Sequence, residues 1–201
     1  MKQKQAILLK YCPAFSGVTL KLAWPLTAYR AALETLPAEM QARLTAAWGA
    51  PEADPACDGN AFRFRALRQG RALVALQPER GETRSRDAEY HDLSRTPRHA
   101  YVAFYLWLRS QDLHALLHIG AHGTLEWLPG KAVALSDTCW PEALLGPLPV
   151  IYPFIVNDPG EGAQAKRRSQ AVIIDHLMPP LTRAENHGPM QELERLVDEY
   201  Y

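Results

Sequence analysis

From His99 onward, helix-patterned and strand-patterned segments alternate, most of the inner ones closed by glycine or proline. Few architectures accept that order. Tyr101, Phe104, Tyr105 and Leu108 recur at helical spacing in AYVAFYLWLRS. HALLHIG reads as a short buried strand, and HGTLEW as a glycine-rich turn with one helical turn, ended by Pro129. Pro141 suits the first turn of PEALLG. VIYPFIV is a second apolar strand, in which Pro153 argues for an edge or a bulge. NDPGEG then leads into a long helix predicted over 161–177, stopped by Pro179 and Pro180, and QELERLVDEYY is a last amphipathic helix. The alternation predicts an α/β fold of short strands and helices, with residues 99–201 as one core.

Residues 27–98 read as a separate region. Thr27 can cap a helix through TAYRAALETL, and Pro37 opens a second that Gly49 stops. After a loop over 50–60, AFRFRAL, RQGR and ALVALQP give a hairpin with arginines on its solvent face. Residues 79–98 read as a charged, solvated loop. Residues 1–26 show no clear pattern.

Lys plus Arg and Asp plus Glu number 22 each, so the net charge is zero. That excludes the broad basic footprint of a nucleic-acid binder or an anionic-membrane binder. The apolar run Ala6 to Leu9 is far too short for a membrane span, which needs about 20 residues. Cys12, Cys57 and Cys139 are far apart and odd in number, which fits a reduced, cytoplasmic protein. No GxxxxGK[ST] phosphate loop occurs, so the chain carries no recognisable ATP site.

The densest chemistry is HIGAHGTLEWLPGK, which holds His118, His122, Glu126 and Lys131 where a strand gives way to a helix. Ligands bind at that edge of open α/β sheets. In extended backbone His118 and His122 face one side, and Glu126 lies one helical turn beyond His122. Two imidazoles and a carboxylate around one point could hold a metal. The same spacing also suits two backbone-satisfied histidines and a capping glutamate, and spacing alone leaves both open. No Glu stands between the histidines, so this is not the zinc-protease pattern. A second cluster runs from Asn157 through Gly162 to Lys166, Arg167 and Arg168. A helix start and forked guanidinium groups could hold carboxylates. A solvated basic helix face is the plainer alternative. Trp127, Trp140, Tyr152 and Phe154 flank both clusters, and serve equally as core aromatics or as an apolar wall. The remaining histidines, His99 among them, read as surface or capping residues.

The stretch HIGAHGTLEWLPGKAVALSDTCWPEALLGPLPVIYPFIVNDPGEGAQAKRR resembles the signature core of cobaltochelatase large subunits (CobN). Magnesium-chelatase large subunits share its HxGxHGxxE and AKRR elements. The VNDPGEG turn is the form found in the cobalt enzymes. The resemblance is contiguous from about Tyr101 to Tyr201 and looser back to about Leu20. Members of the family are several times longer, so the chain is expected to be a partial fragment of a larger multidomain α/β subunit. The resemblance implies a segment that binds a metal-free corrinoid, hydrogenobyrinic acid a,c-diamide, and Co(II) as the substrate metal. Two partner subunits of the AAA+ class would use ATP and Mg. On that reading His118, His122 and Glu126 are the candidate bases and metal ligands, and Lys131, Asn157, Lys166, Arg167 and Arg168 the candidate substrate anchors. No nucleic-acid or membrane partner is expected. A porphyrin-binding relative of magnesium chelatase and an inactive remnant or binding module are the alternatives.

Overall fold

The computed structural model describes residues 5–9, 21–81, 92–119, 123–153, 159–174 and 186–200. Among them the strands are β1 (Gln5–Leu9), β2 (Lys21–Pro25), β3 (Cys57–Asp58), β4 (Ala61–Gln69), β5 (Ala72–Leu76), β6 (Ala115–Ile119), β7 (Val150–Pro153) and β8 (Val172–Ile174). The helices are α1 (Leu26–Leu33), α2 (Ala38–Trp48), α3 (His99–Arg109), α4 (Trp140–Leu145), α5 (Pro159–Arg168) and α6 (Pro189–Tyr200). The fold is α/β, as the alternation predicts.

All the strands join one sheet in the order β2-β4-β5-β1-β6-β7-β8, with β3 paired to β4. The run β5-β1-β6-β7-β8 is parallel, and β4, β2 and β3 extend it in antiparallel fashion. Strand β1 comes from a segment without a readable pattern, yet it lies between β5 and β6. Its sequence QAILL is too short for periodicity to speak, and only pairing on both sides makes it a strand.

The β4–β5 hairpin forms as expected, with Ala66 opposite Ala75. Phe62, Phe64 and Ala66 are buried and Arg63 and Arg65 are exposed, the period of two that a half-buried strand requires. Helix α3 is buried from His99 to Leu108, on every face. It touches α1, α4 and β4, so both regions of the chain contribute to its surroundings.

The start of α3 is held from the 50–60 loop. Asp54 accepts the Ala100 N–H at 3.0 Å and both Nε (3.1 Å) and Nη2 (2.6 Å) of Arg98. A remote carboxylate thus satisfies a free N–H of the first turn, which the local residues leave uncapped. His99 is a core residue, 1% exposed, rather than a surface one. Its Nε2 donates to Gly49 O (3.0 Å) and its Nδ1 takes the Tyr29 hydroxyl (2.7 Å).

Three local expectations fail. The helix predicted over 161–177 ends at Arg168, and Val172–Ile174 is strand β8. Gln170 turns the backbone at φ 51°, and the β-branched Val-Ile-Ile run then pairs with β7. Pro153 marks no edge, since β7 lies between β6 and β8. Thr27 caps nothing, because α1 starts one residue earlier, directly after Pro25.

Candidate functional site

The carboxyl ends of β6 and β7 meet a short 3-10 turn, Leu125–Trp127. Along β6, Leu116 and His118 point to the buried side, and along β7, Val150 and Tyr152 do the same. The parallel register sets Leu116 opposite Val150, so His118 and Tyr152 become neighbours two residues on. Their rings meet edge to face, centroids 4.8 Å apart at 83°. His118 is 2% exposed and Glu126 1%.

Gly123 shows how closely the site is drawn together. A Cβ placed on it would lie 2.5 and 2.6 Å from the two carboxylate oxygens of Glu126 and 2.8 Å from Cε1 of His118. Imidazole and carboxylate therefore converge on the small volume that the glycine leaves open. Tyr152 joins them, its hydroxyl donating to Glu126 Oε1 at 3.4 Å.

The turn that carries Glu126 is clamped by two guanidinium groups. Within the 3-10 turn only Leu125 O takes a backbone N–H, that of Leu128 at 3.2 Å, which leaves the carbonyls of Glu126 and Trp127 to partners from outside it. Arg168, 1% exposed, donates Nη1 to Glu126 O (2.6 Å) and Nε to Lys131 O (3.0 Å). Arg80 donates Nη1 to Trp127 O (2.8 Å) and Nη2 to Asp92 O. Glu161 accepts the Trp127 indole N–H at 2.7 Å. Glu161, Ala165 and Arg168 form one buried stripe of α5. Burial pushes the Arg168 pKa below its usual value, while the nearby charges of Cys139 and Glu126 oppose that shift.

Behind the turn is a buried hydroxyl cluster. Gln77 Nε2 donates to Tyr101 (2.6 Å) and to Tyr105 (2.8 Å), and the Tyr101 hydroxyl meets Thr124 Oγ1 at 2.9 Å. Burial raises both phenols well above the ordinary tyrosine range, and the Glu126 charge adds to the rise.

Of the residues singled out in the sequence, the structure brings His118 and Glu126 together. Lys131, Lys166 and Arg167 are exposed, and Arg168 is buried under the turn. His122, Asn157 and Phe154 lie outside the described residues. No three His, Cys, Asp or Glu side chains form a metal-binding group among the described residues. Sequence reasoning missed Gln77, Arg80, Thr124 and Tyr101 as members of the site. Arg80 sits in a charge run that reads as solvent-facing, yet it is 5% exposed. The one available signal was Tyr101 and Tyr105, two hydroxyls one turn apart on a helix too apolar to be solvated.

A buried imidazole and carboxylate thus lie at the carboxyl edge of the parallel strands, the edge at which open α/β sheets bind ligands. Comparison with known proteins narrows this. The CobN/Magnesium Chelatase family profile matches residues 11–201, and the chain belongs to that family. It is 58% identical over 174 residues to the aerobic cobaltochelatase subunit CobN of Pseudomonas aeruginosa, covering 86% of this chain and 14% of that protein. It is 41% identical over 135 residues to a magnesium-chelatase subunit of Chlorobaculum parvum, covering 67% and 11%. Its fold matches the catalytic subunit of cobaltochelatase from Mycobacterium tuberculosis with a TM-score of 0.70 at 45% identity, over 90% of this chain and 16% of that one. The chain thus spans about one seventh of the length of its CobN relatives. No helix among the described residues is long and apolar enough to cross a membrane.

Proposed function

We propose that this chain is the macrocycle- and metal-binding segment of the large subunit of an ATP-dependent aerobic cobaltochelatase. That enzyme inserts Co(II) into hydrogenobyrinic acid a,c-diamide, a cytoplasmic step of cobalamin synthesis. The observation that carries the reading is the convergence of His118 and Glu126 on Gly123. Insertion breaks the one inner N–H bond of the corrin and forms metal–nitrogen bonds, with no change of redox state. That proton needs a base at the ring face. Glu126 and His118 are the proposed acceptors, and imidazole with carboxylate is a donor set that Co(II) accepts. His122, four residues after His118, is the proposed third member. Lys131, Lys166 and Arg167, exposed near the turn and on α5, are the cations left to meet substrate carboxylates, with Asn157 beside them in sequence. Arg168 is committed to backbone carbonyls and serves as a support. ATP and Mg are assigned to motor subunits of the AAA+ class, as the resemblance to cobaltochelatase large subunits implies.

Absorbance titration of the chain with the metal-free corrinoid and with a porphyrin tests the substrate. We expect the corrinoid to bind more tightly. Tighter porphyrin binding assigns the segment to magnesium-chelatase chemistry, and binding of neither removes the macrocycle site. Turnover is tested in a chimera in which this segment replaces its counterpart in the Pseudomonas aeruginosa subunit, supplied with the ATPase partners. Glu126→Gln should lower cobalt insertion about a hundredfold or more, the scale of a lost general base. An unchanged rate removes Glu126 from the chemistry.

A further inference from the structure

Strands β6, β7 and β8 follow one another in sequence and lie side by side in the sheet, all parallel. Each connection between them carries a helix, first α4 and then α5. The sheet thus grows outward one strand at a time. Among the described residues β8 is its last strand and pairs with β7 alone. Helix α6 comes next in sequence, and the chain ends one residue after it.

Two apolar surfaces are left bare at that end. In β8, Val172 and Ile174 are 63% and 54% exposed. The register sets them in line with Ile151 and Pro153 of β7, on the face of the sheet opposite to Tyr152. Parallel strands are ordinarily buried, and an open edge with apolar side chains is a template for another strand. Helix α6 buries none of its residues. Met190, Leu193, Val197 and Tyr200 recur on it at helical spacing, with Leu196 beside them, and all five are exposed. A helix this short is marginal in water unless such a stripe is packed.

We propose that the open edge of β8 is the docking site for a further parallel strand, supplied by the part of the large subunit that this chain lacks, with α6 as the crossover helix between the two. The chain spans about one seventh of its CobN relatives, so most of the subunit lies outside it. Parallel neighbours need a crossover of about a dozen residues or more, usually a helix. Helix α6 stands in that place after β8, as α4 and α5 stand after β6 and β7. A second copy of this chain fits poorly. Glu192, Glu194, Asp198 and Glu199 outweigh Arg195 on α6, so two such helices packed stripe to stripe would bring acidic flanks together. The strand that fits is itself rich in Val and Ile, because it too would be a buried parallel strand.

The test compares the chain alone with the same chimera, reading amide hydrogen exchange over residues 172–174 and 189–200 by mass spectrometry. We expect the β8 amides that do not bond β7, and those of α6, to exchange about tenfold slower or more in the chimera, the mark of new backbone pairing and packing. Val172→Lys and Ile174→Lys should leave the urea midpoint of the chain alone unchanged, because both side chains are more than half exposed there. In the chimera each should return β8 to the fast exchange of the chain alone, and the unchanged midpoint shows that the variants fold. Sedimentation equilibrium of the chain alone should give a monomer. Equal exchange of β8 in chain and chimera overturns the strand, and so does slowing confined to α6. Lysine variants that keep β8 slow in the chimera overturn the docking edge. A dimer of the chain that Val172→Lys dissociates gives the edge to a second copy and overturns the proposal.

Discussion

Replacing Arg168 with methionine keeps most of the apolar stem and removes the guanidinium. Two backbone carbonyls, the buried Glu126 O and the part-buried Lys131 O, then lose donors at 2.6 and 3.0 Å. A buried acceptor left without a partner costs about 1–3 kcal/mol. Part of that is offset, because Arg168 is a buried cation with no bonded carboxylate, and its Nη2 has no hydrogen-bond partner among the described residues. Removing such a charge relieves a desolvation penalty. The net loss should be about 2–4 kcal/mol. At about 2–4 °C per kcal/mol for a chain of this length, the melting temperature should fall by about 5–15 °C. Urea denaturation followed by circular dichroism measures it. Arg168→Lys should recover only part of the loss, since an ammonium lacks the fork that spans two carbonyls. Lys166→Met and Arg167→Met, on the exposed face of α5, should leave the denaturation midpoint unchanged. In the chimera, Arg168→Met should lower kcat more than it raises KM, as expected for a group that holds Glu126 in place. A stability change in Arg168→Met below about 0.5 kcal/mol, the range of ordinary surface substitutions, would refute the carbonyl-clamp argument.

Gly123→Ala should abolish metal and macrocycle binding by displacing Glu126 and His118, whereas Gly162→Ala, where a Cβ meets nothing within 4 Å, should bind normally and gain about 0.5–1 kcal/mol from helix propensity; isothermal titration with Co(II) and melting curves check both. Burial lowers the His99 pKa, against the raising effects of its Gly49 bond and of Asp54 and Glu52, with Tyr29 and Arg30 the other polar neighbours. The folded protein therefore resists a proton that the unfolded chain accepts, so stability should fall as pH drops below about 6.5, by at most about 1.4 kcal/mol per pH unit from this group. Urea midpoints across that range should slope more steeply in the parent than in His99→Gln, and equal slopes would remove His99 as the cause.

The sequence by itself determined the α/β class, the hairpin with Arg63 and Arg65 turned outward, the buried helix at His99–Arg109, and the position of the His118–Glu126 cluster at a strand end. Each is written in a local period or in a turn residue, and such signals act over a few neighbouring positions. Tertiary structure alone decided the rest. QAILL became a central strand because β5 and β6 offered hydrogen bonds on both sides. Val172–Ile174 left the predicted helix because β7 had an open edge. Among three consecutive cations, only Arg168 was drawn inward, because only it could reach the unmatched carbonyls of Glu126 and Lys131 from the buried stripe of α5. Gln77 and Tyr101 are separated from Thr124 by many residues, so nothing local reveals that Gln77 bonds Tyr101 and Tyr101 bonds Thr124. A buried polar group must find a partner wherever the fold brings one, and that choice rests on long-range packing that local pattern does not encode.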